Sequence, residues 1–280
     1  MPKISIVGIC GKSIFLNVDH FHQNGETLMA EKTFEEIGGK GLNQAVAAVR
    51  MGAQVSFLAA IGDDESGEIC KKMVEQNNIK GFFPVKKGIK TTFAVILTDK
   101  QGENQVTCYQ TANLTKEDVL SFEEEIASSD ILLLQHEVPD EANEMAVELA
   151  NKHNVRIILN PAPIRKISDE IAKSVFAVTP NQQEKQAINP ERFKNCITTL
   201  GKNGCDINGE TRVSGINVKA VNTTGAGDTF NGVFTVCVAE GMDLETACKY
   251  AVTASGLSVT KNCVINSIPT REEIEKELLK

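Results

Sequence analysis

The sequence predicts an α/β fold in which a mostly parallel sheet is covered on both faces by helices and a small β flap lies over one end. Three observations predict it. Short apolar runs, ISIVG, VSFLAAIG, ILLLQ, VRIILN, VFAVTP and CITTL, recur with helical segments between them, the alternation that marks a doubly covered parallel sheet. Two stretches break that alternation: residues 14–36, and residues 91–111, where TTFAVILTD and NQVTCYQT flank the turn KQGEN. These read as extra strands outside the main sheet. At 280 residues with 41% hydrophobic side chains, the chain can bury a sizeable core. No linker, repeat or low-complexity segment divides it. The expected organisation is therefore a core from residues 1–12, 37–90 and 112–280, with a β-sheet lid from residues 13–36 and 91–111.

The first strand, ISIVG, leads into VGICGKSIF at 7–15, whose Gly11-Lys12-Ser13 imitates the end of a nucleotide-binding P-loop. A P-loop needs a glycine five positions before its Gly-Lys pair and a helix after it. Position 6 is Ile6, and the residues from Ile14 to Asp19 read as a half-buried strand and not as the required helix. A phosphate cradle must lie elsewhere. A helix is expected at 41–51, closed by Gly52, then the strand VSFLAAIG and a helix at 66–77. Beyond the flap, helices at 115–128 and 140–153 bracket ILLLQ, and helices at 228–240, 244–260 and 270–279 follow the last strands. The run Glu123-Glu124-Glu125 reads as a solvated helix face.

Composition narrows the partners. The formal net charge is −8 and basic residues are thinly spread, which argues against nucleic acid and for small molecules. There is no signal-type N-terminus and no apolar run of spanning length, so neither membrane insertion nor export is expected, and the expected location is the cytoplasm. Eight cysteines form no C-x-x-C pair and read as reduced core residues without disulfide or zinc roles. His20 and His22 lack a third ligand at metal spacing, and His136-Glu137 lacks the second histidine of H-E-x-x-H because position 140 is Asp140.

Two glycine-rich segments carry chemistry. In VNTTGAGDTFNGVF (221–234), Gly225-Ala226-Gly227 leads into a helix whose apolar residues Phe230, Val233, Phe234 and Cys237 recur at helical spacing. Such a junction presents free N–H groups at the positive end of a helix dipole, which suits an anion. Asp228 reads either as an ordinary first-turn carboxylate or as a base or metal ligand placed beside that anion site. EEIGGKGLNQAVAAVRMG (35–52) places Gly38-Gly39-Lys40-Gly41 before a helix rich in alanine. Its small residues permit close packing, while Lys40 and Asn43 are polar groups where a ligand could approach the backbone.

Together these segments resemble the ribokinase family, the PfkB-type carbohydrate kinases. NGETL, GGKGLNQAVAA, IGDDESG, LNPAP, TPNQQE, TLGKNG and TTGAGDTFNG match in order along nearly the whole chain. The resemblance implies a three-layer α/β/α sandwich with a β-sheet lid and ATP-dependent phosphoryl transfer to a hydroxyl of a sugar or sugar-like metabolite. It implies Asp228 as general base, with the N–H groups of Gly225, Ala226 and Gly227 as the anion hole for the γ-phosphoryl. Asn181 and Glu184 match the family's N-x-x-E, which helps hold Mg²⁺ and phosphates through water. Thr199, Gly201 and Gly204 match the nucleotide loop, and Gly39, Lys40, Asn43 and Glu137 would line the sugar pocket. Without the resemblance, Asn181 and Glu184 read as a helix N-cap and an exposed glutamate, and Glu137 as a solvated strand-end carboxylate.

The match has three departures. Gly11 and Ser13 stand where the family places a sugar-binding Asn and Asp, which leaves Ser13 as that loop's candidate substrate contact and predicts poor use of ribose. Asn222 replaces the aspartate that supports a monovalent-cation site, so weak dependence on potassium is expected. Only fourteen residues, 185 to 198, separate TPNQQE from TLGKNG, too few for the usual helix and strand. A sugar-binding regulator on the same fold is the competing reading, against which Asp228 stands. A dinucleotide oxidoreductase is disfavoured because no G-x-G-x-x-G follows the first strand. The lid's exposed strands could pair two copies as a homodimer.

Overall fold

A computed structural model describes residues 1–280. Its centre is a six-stranded parallel sheet in the order Val175–Val178, Arg156–Asn160, Ile131–Gln135, Lys3–Val7, Gln54–Leu58, Lys80–Phe82. Successive side chains of a strand point to opposite faces, and here both faces are apolar. Ile4, Ile6, Ile131 and Leu133 belong to one buried cluster, Val7, Leu132 and Leu134 to another. The first packs under helices Lys40–Arg50, Ala226–Ala239 and Leu244–Ser258, the second under Asp140–Lys152. Each such side chain contributes about 1.5–3 kcal/mol on burial, so the layers are held by the sheet's own residues. No helix is long and apolar enough to cross a membrane.

The lid is a second sheet of four strands, ordered Lys32–Gly38, Gly11–Asn17, Phe93–Thr98, Asn104–Tyr109. Gly11-Lys12-Ser13 begins one of these strands, with no helix behind it. Phe15 and Ile96 form the lid's buried underside, and the Phe15 ring stacks on Phe34 at 4.4 Å.

The structure corrects or refines five expectations. The run CITTL does not extend the central sheet. Ile197–Thr199 joins a three-stranded antiparallel sheet with Cys205–Ile207 and Thr211–Val213, and meets the edge strand of the central sheet and the residues just past it through two isolated parallel bridges, Val178↔Cys196 and Asn181↔Thr199. The interval 185–198 is too short for a full helix and strand, as expected, and both are short and overrun it: helix Gln182–Ile188 begins before it and is ended after two turns by Asn189 (φ 48°), and strand Ile197–Thr199 runs past it. The helix expected at 115–128 is two pieces, Lys116–Leu120 and Glu123–Ala127, broken where Phe122 turns inward to meet Phe82 edge-on at 5.0 Å. The acidic run at 123–125 is partly tied down: Glu125 accepts from Ser56 and Lys80, both at 2.6 Å, and Glu123 from Lys152 and His153. All eight cysteines are free and six are buried, whereas Cys108 is exposed on the lid and Cys263 half-buried.

Candidate active site

The Gly38-Gly39 elbow joins the lid strand to helix Lys40–Arg50. Gly39 takes φ 114°, and a Cβ there would press on the Ile9 carbonyl at 2.6 Å, so only glycine turns this corner. Close packing of Gly41 on Gly8 then seats the helix on the end of the first strand. Its first free N–H, that of Lys40, donates to Glu137 Oε2 at 2.8 Å. Glu137, just past the strand Ile131–Gln135, thereby satisfies a helix N-terminus.

One turn later, two amides reach the carboxylate of Asp228. Asn43 Nδ2 donates to Oδ2 at 2.9 Å, and Gln44 Nε2 to Oδ1 at 3.1 Å. Asp228 lies in the first turn of helix Ala226–Ala239, whose N-cap Gly225 is left-handed at φ 78°, and it is 6% exposed. Gln44 is itself oriented: Gln135 Nε2 donates to its oxygen at 2.8 Å, and its Nε2 also donates to Asn160 Oδ1 at 3.2 Å. The buried Asn43 oxygen has no partner within the chain. Sequence reasoning assigned no role to Gln44, Gln135 or Asn160. Their signal was a polar amide inside AVAA-type helix or closing the apolar runs ILLLQ and VRIILN.

Three cavities meet at Gly225–Asp228. One lies beneath the lid and is lined by Gly11, Lys12, Ser13, Gly39, Lys40, Asn43, Glu137 and Asp228. A second opens on the other side, between Thr199, Gly201, Gly204, Ala226, Gly227 and the apolar Ile216, Val218, Val252 and Val259. A polar cleft joins them, sharing Lys40, Gly225 and Asp228 with the first and Thr199 and Gly227 with the second. Gly204 is left-handed at φ 88°, and a Cβ on it would overlap the Val213 carbonyl.

Asn181 and Glu184 face the joining cleft. They form a reciprocal capping box: Asn181 Oδ1 accepts from the Glu184 N–H at 2.8 Å, and Glu184 Oε2 from the Asn181 N–H at 2.8 Å. The N-cap reading therefore holds, but Glu184 is buried rather than exposed. Burial raises its pKa against the Asn181 N–H and the Lys40 charge. Burial likewise pushes Glu137 up to about 7, with Lys40 opposing. For Lys40, burial acts downward, but Asp228, Glu137 and Glu184 together outweigh it and its pKa rises. One ammonium thus stands among three carboxyl groups, and the donor set around the cleft is rich in hard oxygen.

The departures also have structural form. At Gly11 a Cβ would overlap the Thr92 carbonyl, which accepts the Lys12 N–H, so no side chain fits at this position. Lys12 is paired with Glu35 at 2.7 Å, which cancels the positive charge it would otherwise lend the cavity. Asn222 turns its oxygen to the Thr224 N–H at 2.9 Å. His20 bridges Asp19 and Glu26 at the lid's tip, remote from these cavities.

Two pockets meeting at a glycine turn, with a buried carboxylate at the junction, define a small-molecule phosphotransferase of the sugar-kinase class. The chain belongs to the pfkB family of carbohydrate kinases, whose model matches residues 1–271. It is 33% identical to ribokinase of Bacillus subtilis over 294 aligned positions, covering 99% of this chain and 100% of that one. The crystal structure of ribokinase from Thermotoga maritima superposes with a TM-score of 0.87 at 34% identity, covering both chains completely. Arabidopsis thaliana ribokinase complexed with ribose and ATP superposes with a TM-score of 0.84 at 26% identity over 99% of this chain and 98% of that one.

Proposed function

We propose that the chain transfers the γ-phosphoryl of ATP to a hydroxyl of a sugar or sugar-like molecule held beneath the lid, with Asp228 as general base. The observation that carries this reading is the place of Asp228: buried, held through both oxygens, and shared by the lid cavity and the cleft toward the second cavity. The acceptor hydroxyl gives its proton to Asp228 as its oxygen bonds to phosphorus, and the bond from phosphorus to the ADP oxygen breaks. The N–H groups of Gly225, Ala226 and Gly227 receive the equatorial oxygens, in a reaction governed by positioning and charge stabilisation. Lys40 adds positive charge on the acceptor side. The unpartnered Asn43 oxygen and Glu137 accept acceptor hydroxyls, and Ser13 contacts the far end.

ATP lies with its base in the apolar second cavity and its phosphates along Gly201, Gly204 and Thr199. The oxygen donors of Asn181 and Glu184 suit Mg²⁺ held through water, as that hard ion prefers. When bound, Mg²⁺ would neutralise phosphate charge. The four-stranded sheet serves as a lid that excludes water.

ADP formation from Mg-ATP across a panel of ribose, fructose, deoxyribose and nucleosides tests the reading. Acceptor-dependent ADP supports it. Saturable binding of these compounds without any ADP would instead favour a sugar-binding regulator.

A further inference from the structure

Lid and glycine turn are joined by a carboxylate that the chemistry above does not use. Glu36, on the lid strand Lys32–Gly38, accepts the Val264 N–H through both oxygens, at 3.1 and 3.0 Å. Val264 lies beyond helix Leu244–Ser258, buried in the cluster whose other members, Phe15 and Ile96, belong to the lid. Its Cγ1 fills the space that a Cβ on Gly225 would occupy, so Val264 packs directly on the residue that opens the Ala226 helix. On the other side of the loop, Arg50 Nη1 donates to the carbonyls of Ile265, at 2.8 Å, and Ile268. Glu36 and Arg50 therefore grip one loop from the two ends of the segment that carries Lys40 and Asn43.

The loop needs such a tie. Cys263, next to Val264, sits at φ 75°, a left-handed conformation that a non-glycine residue keeps only when its surroundings impose it. A hydrogen bond to a carboxylate is stronger than one between neutral groups, and Glu36 is half-buried, where water competes less.

We propose that Glu36 is a positioning residue: it fixes the Val264 loop to the lid strand, so that Val264 holds the Gly225–Gly227 turn in the geometry that receives a phosphoryl group. The inference rests on the reading of that turn as the anion hole. Lid position and anion-hole geometry are then one mechanical unit, without a cation between them.

Hydrogen exchange on the full chain, as the native protein, Glu36→Ala and Glu36→Gln, tests this without turnover. In Glu36→Ala, amides of 223–228 should exchange about tenfold faster, the effect of losing one charge-assisted hydrogen bond, while the central strand Ile131–Gln135 keeps its protection. Glu36→Gln, which retains one acceptor oxygen, should fall between. If only 260–268 exchanges faster, or nothing does, Glu36 does not position the turn and the proposal is overturned. Should Glu36→Ala also expose Ile131–Gln135, Glu36→Gln decides by the same two criteria. On an acceptor that supports ADP formation by the native protein, Glu36→Ala should lower kcat about tenfold and leave KM for ATP within about twofold. A native protein that forms no ADP refutes the kinase reading, and the exchange result still judges this one.

Discussion

Gln44 donates to Asp228 at 3.1 Å while its own oxygen accepts from Gln135 at 2.8 Å, so the orientation of the buried carboxylate is set from the end of a central strand. A side chain that contacts no proposed substrate thus controls the direction of the proposed base. Gln44→Leu keeps the helix and similar bulk but leaves Gln135, Asn160 and one Asp228 oxygen without this partner. The expected result is a fall in kcat of about tenfold to a hundredfold, with a stability loss of about 1–3 kcal/mol from the unpaired buried groups. Steady-state kinetics and urea unfolding check both; unchanged kcat would show that Asn43 alone suffices.

Glu137 provides a pH dependence. Its carboxyl is pushed up to about 7 from 4.5, by burial first, against the Lys40 charge. The folded protein then binds this proton more tightly than the unfolded chain. The group's contribution to stability is full below the unfolded value and is lost as pH rises through about 7. Glu137→Gln removes that slope. Urea midpoints at about pH 4 and about pH 8 should show the native protein losing stability relative to Glu137→Gln as pH rises. A difference independent of pH would contradict the assignment.

Asn222 predicts weak dependence on potassium. A neutral amide whose oxygen already accepts the Thr224 N–H offers little to a weakly hydrated cation. Initial rates in potassium chloride and in tetramethylammonium chloride, at equal ionic strength, should agree within about twofold. Stimulation of tenfold or more would mean that other ligands form the site.

The lid loop predicts altered specificity. Native protein should use ribose poorly, and Ser13→Asp, which adds a hydroxyl-binding carboxylate to the cavity, should raise kcat/KM for ribose relative to fructose by about tenfold. Gly11→Asn should not help: its Cβ would displace the Thr92 carbonyl from the lid pairing, a strain expected to cost about 1–3 kcal/mol. Good ribose use by the native protein, unimproved by Ser13→Asp, would show that this loop does not set preference.

Much of the layer architecture was legible because the central strands are buried on both faces and therefore read as apolar runs. The lid was legible for a different reason, since its strands interrupt the alternation of apolar runs and helices, and two of them flank the turn KQGEN. Lys80–Phe82 was not: three residues, one of them Gly81, carry no pattern, and their pairing with Ser56 to Leu58 defines them. CITTL looked like a central strand because its burial is similar, but only two isolated bridges run beside the edge of the ladder. At the site, glycines that must turn at Gly39 and Gly225 mark themselves in sequence. The amides around Asp228 do not, because Gln44, Gln135 and Asn160 come from three elements and only folding makes them neighbours. Glu36 and Val264, 228 residues apart, are illegible in the same way.

The most direct test of the account is kcat for Asp228→Asn with Mg-ATP and the acceptor on which the native protein is active. The account predicts a fall of about 10²–10⁴-fold, with ATP affinity and folding little changed, because the amide keeps the shape and loses the proton acceptor. Turnover near the native value in Asp228→Asn would contradict it.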